Sequence, residues 1–140
     1  MQDIWDNIEK EVYCEEDPVQ RIAFRDDNGQ SSYYTSNITS KDAKLVDEFC
    51  QTKNISPLNT RLFKLEDGSF DLKICSVKGD TLPYLGDHDF NSNKIKVSAA
   101  DFSSFMRDVV TEMQKALPFA ANDRQKAMVQ SYIEHFLSGE

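Results

Sequence analysis

A run of apolar residues between Phe102 and Leu117 limits the folds open to this chain more than any other feature. Its members recur at i, i+3, i+4, i+7, i+8, i+11 and i+15, so they share one continuous face of a helix. The hydroxyl of Ser98 can cap the first turn by accepting a bond from an unpaired backbone N–H, and Pro118 ends the helix. This face, with Phe102 and Phe105 at its start, is predicted to lie in the core.

Three other segments have helical periodicity. Residues 3–14 place aliphatic side chains at intervals of four, and Asp17–Pro18 ends this helix because the residue before a proline avoids the α conformation. Thr39–Ser40 can cap a second helix that ends near Thr52, and Asn122 can cap the last one. Together with the first helix, these segments predict about four helices.

Two turn sequences predict β-hairpins. Asp26–Gly29 separates β-prone runs at 22–24 and 31–35, and a Glu-Asp-Gly-Ser turn separates 60–65 from 70–77. Along the last of these runs apolar and polar residues alternate, which is the period of a half-buried strand.

A fifth short strand is predicted at residues 94–97. Residues 78–93, which precede it, contain glycine, proline, aspartate and asparagine and are predicted to form an irregular loop. Short strands among helices are typical of the α+β class, here a small, mostly antiparallel five-stranded sheet packed with about four helices. A length of 140 residues fits a single domain over residues 1–140.

Charge and composition argue against several classes of function. The 24 acidic against 16 basic residues give a net charge of −8, which disfavours contact with nucleic acid phosphates. No segment reaches the roughly 20 consecutive apolar residues of a membrane span, and the first residues lack the basic and apolar regions of a signal peptide. Three widely spaced cysteines, Cys14, Cys50 and Cys75, fit a reducing compartment. We therefore expect a cytoplasmic protein that binds neither nucleic acid nor membranes.

Several different short motifs occur along the chain in an informative order. They are Tyr33–Asn37, Asp42–Lys44, Asn59–Lys64, Ala120–Asn122 and Tyr132–Glu134, with Gln125 and Met128 between the last two. In this order and spacing they resemble the dipeptidyl peptidase III family, zinc enzymes that remove dipeptides from the N-termini of peptides. The resemblance covers about residues 30–138 and is loose over the first 30.

The resemblance implies a position within the family's architecture. It matches part of the β-containing lower lobe, which has a five-stranded β-barrel core surrounded by helices and holds none of the catalytic apparatus. The family's zinc-binding histidine motif and the helix that supplies its glutamate ligand are both missing from this sequence. We therefore expect no cofactor in this chain, with zinc confined to the catalytic lobe.

Few residues could support chemistry by themselves. His88 and His135 lie far apart in sequence, and neither belongs to a zinc-binding helix motif. No motif joins a cysteine or serine nucleophile to a base. Asp87 and Asp89 could raise the basicity of the His88 imidazole and give a pH-sensitive or weak metal site, although a solvated loop is the simpler interpretation.

Aromatic residues are the other candidates. Tyr33, Tyr34, Tyr84 and Phe90 could contact peptides or the remaining lobe, and one of the adjacent tyrosines should be exposed because neighbours on a strand point to opposite faces. Gln130–Tyr132 looks like the Glu-Ser-Tyr segment with which the family holds substrate amino termini. The order of the surrounding motifs places it on an earlier helix, so that role is not transferred.

These observations lead to one main interpretation. The chain is a segment of a dipeptidyl peptidase III-like enzyme, a scaffold of the substrate cleft that should be inactive alone. Its partners would be the remaining lobe and, in the full-length enzyme, short peptides that pair with a sheet edge. The alternative is a complete small protein that keeps the lobe as a non-catalytic module for binding peptides or proteins. A third hypothesis is a small enzyme that works through Asp87, His88 and Asp89.

Overall fold

The computed structural model describes residues 2–79 and 82–140. Within them the helices and strands are α1 (Gln2–Val12), α2 (Ser40–Lys53), β1 (Thr60–Lys64), β2 (Phe70–Cys75), β3 (Gly86–Phe90), β4 (Asn93–Asp101), α3 (Ser103–Ala116) and α4 (Asp123–Ser138). The predicted α+β class is confirmed. Over these residues, no helix has both the length and the apolar character needed to cross a bilayer.

The strands form one open, mixed sheet in the order β1-β2-β4-β3. Two antiparallel hairpins, β1–β2 and β3–β4, lie side by side, and the central pair β2–β4 is parallel. The prediction of five strands is wrong over the described residues, which form four. The mostly antiparallel arrangement is not confirmed, because the central pairing is parallel and the sheet is mixed. The barrel implied by the resemblance is not formed by these four strands, since β1 and β3 remain as two separate edges.

The first predicted hairpin is wrong. Residues 25–27 form a 3-10 turn, and Ile22 and Gln30 make only an isolated bridge. The second half of the predicted hairpin pairs with β1 instead: the Leu62 N–H donates to the Tyr33 carbonyl at 2.9 Å, and the Thr35 N–H donates to the Leu62 carbonyl at 3.2 Å. An edge that already belongs to a sheet satisfies these backbone groups better than an isolated two-stranded hairpin, which is marginally stable.

The predicted loop over residues 78–93 is wrong at Gly86–Phe90, where β3 forms. Charged or polar residues occupy successive positions of this strand, so the alternation that marks a half-buried strand is absent. Charged side chains are typical of edge strands, which they protect from pairing with other chains. Asn91 and Ser92, both with positive φ (48° and 63°), make the two-residue turn into β4.

β4 is longer than predicted, and α3 begins later. The strand continues to Asp101, whose carboxylate binds Arg61 of β1. Phe102 then adopts a left-handed conformation with φ 54°, and α3 begins at Ser103. Ser98 is therefore a strand residue and not a helix cap.

The core lies between α2 and one face of the sheet. Its buried members are Ile38, Val46, Phe49, Cys50, Ile55, Leu62, Phe70, Leu72, Ile74, Leu82, Ile95 and Val97. The predicted half-buried alternation along β2 is therefore confirmed. The predicted burial of Phe102 and Phe105 is wrong, because these side chains are 47% and 66% exposed. α3 packs against α4 instead, and Val110 is its one buried residue.

Candidate functional site

Three of the motifs that carry the family resemblance, Tyr33–Asn37, Asp42–Lys44 and Asn59–Lys64, meet at the outer edge of β1, whereas the other two lie at α4. The Thr35 hydroxyl accepts a bond from the Lys64 N–H at 2.9 Å and donates to the Asn37 side-chain oxygen at 2.6 Å. The Asn37 amide donates in turn to the Lys64 carbonyl at 3.0 Å. Side chains of Tyr33–Asn37 therefore bind the backbone at the outer edge of the strand that contains Asn59–Lys64.

An ion pair connects the second motif to the same place. Lys64 Nζ lies 2.9 Å from both carboxylate oxygens of Asp42, and the two side chains are 27% and 15% exposed. Asp42 also accepts a bond from the Thr39 N–H, while the Thr39 hydroxyl accepts one from the Asp42 N–H. This reciprocal capping box fixes the start of α2, so one carboxylate anchors both the helix and the strand.

The charge of Asp42 stabilises the fold. Burial raises the pKa of its carboxyl, but hydrogen bonds from Lys64 and Thr39 outweigh burial, and the pKa lies below its ordinary value. A folded-state pKa below the unfolded-state value favours the ionised form in the native protein. The contribution is therefore present above the unfolded-state pKa of about 3.9 and is lost as the pH falls through the folded-state pKa.

Replacing Asp42 with asparagine tests this contribution. We expect Asp42→Asn to lower the free energy of unfolding at pH 7 by about 1–2 kcal/mol, because Lys64 loses a charged hydrogen-bond partner. The loss should shrink as the pH falls below about 4, because the unfolded-state carboxyl then takes up a proton first and the native carboxylate does so only at its lower folded-state pKa. Denaturant titrations at pH 7 and pH 3 measure both values. Glu48→Gln, at an exposed position of the same helix, is the control, and a loss that does not change with pH would contradict the assignment.

Arg61, from the third motif, clamps β1 to the end of β4. Its Nε and Nη2 each donate to one Asp101 carboxylate oxygen at 2.7 Å, and the Asp101 side chain is only 9% exposed. The hydrogen bond to Asp101 raises the pKa of the Arg61 guanidinium, which favours its charged form. The guanidinium also lies over the rings of Phe102 and Phe63, 4.3 and 5.0 Å from their centroids. Bidentate, stacked geometry of this kind is specific to arginine.

The acidic members of the predicted polar cluster do not converge on the histidine. Asp87 lies opposite Lys96 on β4, and Asp89 lies opposite Lys94. Both acids are exposed, whereas His88 is half-buried and points to the other face, as alternation along a strand requires. Opposite charges across neighbouring strands stabilise the hairpin, so the arrangement accounts for these acids as part of an edge strand.

His88 contacts other residues of the fold. Its Nε2 lies 2.8 Å from the Tyr84 carbonyl oxygen, and its ring centroid is 5.2 Å from that of Phe49. Across residues 2–79 and 82–140, no three histidine, cysteine, aspartate or glutamate side chains gather at one point. A zinc site needs three or four such ligands, so the donors in this part of the chain do not fit that ion.

The aromatic candidates divide into one exposed and three half-buried residues. Tyr33 is 60% exposed. Tyr34 is half-buried with its ring 5.2 Å from that of Phe24, so Tyr33 is the exposed member of the pair. Tyr84 and Phe90 are half-buried against the core. Their role in contacting a peptide or another lobe stays a prediction.

Two apolar surfaces were not predicted from the sequence. One is a groove of about 630 Å³ between α2 and β1, with Val46 and Leu62 among its lining and the exposed Tyr33 and Leu58 at its mouth. The other is the outer side of α3 and α4. The sequence of α3 contained a signal for this second surface, because its apolar residues form a face too wide for one neighbouring helix to cover.

Comparisons with known proteins agree with the motifs. A family model described as Peptidase family M49 matches residues 4–140. The chain is similar to Dipeptidyl peptidase 3 of Dictyostelium discoideum, with 36% identity over 135 residues that cover 96% of this chain and 19% of the relative. For the Dipeptidyl peptidase 3 proteins of Homo sapiens and Mus musculus, identity is 33% over 122 residues and 27% over 150 residues. These matches cover 79% and 99% of this chain, and 17% and 20% of the relatives.

The chain spans about a fifth of the length of the curated relatives that it matches. The family match begins at residue 4, so it also includes α1, where the motifs are sparse. The resemblance predicted from the motifs is confirmed, and the chain belongs to peptidase family M49.

Proposed function

We propose that this chain is a structural segment of an M49 dipeptidyl peptidase and forms part of the wall of its substrate cleft. The matched relatives are dipeptidyl peptidases, and four fifths of their length lies outside the match. In this proposal the catalytic zinc and its ligands belong to that remainder, which is also the partner of the segment. The whole enzyme is cytoplasmic and removes dipeptides from short peptides.

One observation carries the scaffold role: the polar motif side chains bond to one another. Asp42 is paired with Lys64, Arg61 with Asp101, and Thr35 with the backbone of β1. A general acid or base must reach the proton that it transfers, and side chains held in these bonds are not free to do so. Their arrangement supports a role in holding the sheet and α2 together.

The sheet also offers a place for an extended peptide. The outer edge of β1 is partly taken by Tyr33–Thr35, whereas β3 has only β4 as a neighbour among the described strands. The backbone groups of a free edge can pair with an extended peptide. In this proposal the β3 edge therefore faces the cleft.

Size and activity test the proposal together. An antibody raised against this chain should detect a polypeptide several times larger than 16 kDa in source cells, and that polypeptide should release dipeptides from unblocked peptides in a chelator-sensitive way. The purified 140-residue chain should release none, because its described residues do not gather zinc ligands.

Two results would contradict the proposal. Chelator-sensitive dipeptide release by the purified chain would place the catalytic residues within it. A native polypeptide of 16 kDa would instead favour the alternative of a free-standing, non-catalytic module that binds peptides or proteins.

A further inference from the structure

We propose that α3 and α4 carry a docking surface for an amphipathic helix from the rest of the M49 polypeptide, an inference that rests on the proposed function. The surface consists of Phe102, Phe105 and Val109 of the α3 segment with Met128 and Tyr132 of α4, and we call it the hairpin surface. These side chains are 47%, 66%, 37%, 50% and 49% exposed. Such a concentration of large apolar groups marks an interaction site in a soluble protein.

The apolar face of α3 is wider than its contact with α4. Val110, 5% exposed, belongs to the part packed on α4. Phe105 and Val109, four residues apart, lie about 100–140° around the helix from Val110 and form what we call the outer stripe, which Phe102 extends just before the helix begins. One neighbouring helix does not cover an apolar face of this width. The exposed outer stripe therefore indicates a second packing partner.

α4 repeats the pattern on the same side. Ile133 is its one buried residue, whereas Met128 and Tyr132, four residues apart, are half-exposed and are displaced from Ile133 in the same rotational sense as the outer stripe of α3. The short connection over residues 117–122 makes the helices antiparallel neighbours. In each helix the exposed apolar residues are displaced by a similar angle from the buried residue. Because the two helices are antiparallel, both sets of exposed residues face the same way and form one surface.

Charges at the borders of the hairpin surface indicate what it fits. Asp108 and Glu112 line the α3 side, and Glu112 is already paired with Lys115. Arg124, one turn before Met128, lines the α4 side. A helix bound to the hairpin surface would place apolar residues against it, basic residues toward α3 and acidic residues toward α4.

Neither α1 nor a second copy of the chain meets this requirement. α1 has an uncovered apolar stripe, but Glu9 and Glu11 border it and would meet Asp108 and Glu112. A second copy would carry the same net charge of −8, which opposes its approach. The remainder of the polypeptide, about four fifths of the length of the relatives, is the source that fits.

Thiol labelling in the longer polypeptide tests the surface directly. Phe105→Cys reports on the hairpin surface, and Thr111→Cys, exposed on the opposite side of α3, is the matched control. A maleimide reagent is added under native and denaturing conditions, and modified tryptic peptides are counted by mass spectrometry. Residues 97–107 and 108–115 form separate tryptic peptides without native cysteine, so each introduced thiol is measured by itself.

We expect the F105C thiol to react at least about tenfold more slowly than the T111C thiol in the native polypeptide and equally fast in denaturant, because cover by a packed helix must open before the reagent enters. Val109→Cys, a smaller change within the same stripe, should also be protected, and it replaces F105C if that variant does not fold.

Equal native rates at all three positions would overturn the docking surface and leave the proposed function intact. A native polypeptide of 16 kDa, determined beforehand by the antibody, would instead overturn the proposed function on which the inference rests.

Discussion

Replacing Phe49 with alanine is expected to lower the free energy of unfolding of this chain by about 3–5 kcal/mol. Phe49 is 1% exposed, and its ring lies 5.6 Å from that of Phe90 and 5.2 Å from that of His88. The substitution removes the main apolar contact between α2 and β3 and leaves a cavity that close-packed neighbours fill only in part. Because domains of this size are stable by about 5–15 kcal/mol, the variant should be close to unfolding at 37 °C.

Phe119→Ala is the matched control for this effect. It deletes the same atoms from a side chain that is 87% exposed, so the expected loss is below about 0.5 kcal/mol. Urea titrations followed by circular dichroism compare both variants with the parent chain. If the two variants lost similar stability, Phe49 would not be part of a packed core, and the placement of α2 on the sheet would be wrong.

Replacing Asp101 with alanine should have the second largest effect, a loss of about 3 kcal/mol. The change leaves the Arg61 guanidinium, 30% exposed and stacked between two phenylalanine rings, without the carboxylate that neutralises it. It also frees the junction between β4 and α3, where Phe102 is held at φ 54°. Asp108→Ala, which removes an exposed acid from α3, should change stability by less than about 0.5 kcal/mol.

A double-mutant cycle measures the interaction free energy between Arg61 and Asp101 separately from their contacts with other residues. Arg61→Met with Asp101→Ala should cost less than the sum of the two single changes, because no unpaired charge is then left behind. Strict additivity would show that the two side chains do not depend on each other. Thermal and urea unfolding of the four chains provide the required free energies.

Elements with local signals could be predicted from the sequence. The caps at Thr39 and Asn122, the turn between β1 and β2, and the alternation along β2 depend on residues a few positions apart, and the structure has them where they were expected. Local physical chemistry was sufficient here because each element satisfies its own backbone groups before it meets the others.

Elements that depend on distant partners could not be predicted in this way. α3 begins only at Ser103, after Asp101, which Arg61 binds from forty residues earlier along the chain. Tyr33–Thr35 pairs with β1 and not with its nearer predicted partner. β3 could not be recognised from the sequence because Asp87, His88 and Asp89 place polar residues on both of its faces.

The residues of the candidate site were noticed in the sequence only as signs of a family resemblance. The motif residues were identified, yet only the structure reveals that Asp42, Lys64, Thr35 and Asn37 bind one another. The exposure of Phe105 was missed for a related reason. Periodicity measures how much of a helix is apolar, whereas the number of neighbours that cover it depends on the whole assembly.

The parallel pairing of β2 with β4 has a consequence for the order in which the chain folds. Each hairpin closes over a short turn, but the parallel pairing between the two hairpins joins residues that are distant in sequence, such as Phe70 and Ile95. Closing that long segment carries the larger loss of chain entropy, and contacts of high sequence separation slow folding. The two hairpins can therefore form early and separately, and their alignment is the step that commits the chain to its native topology.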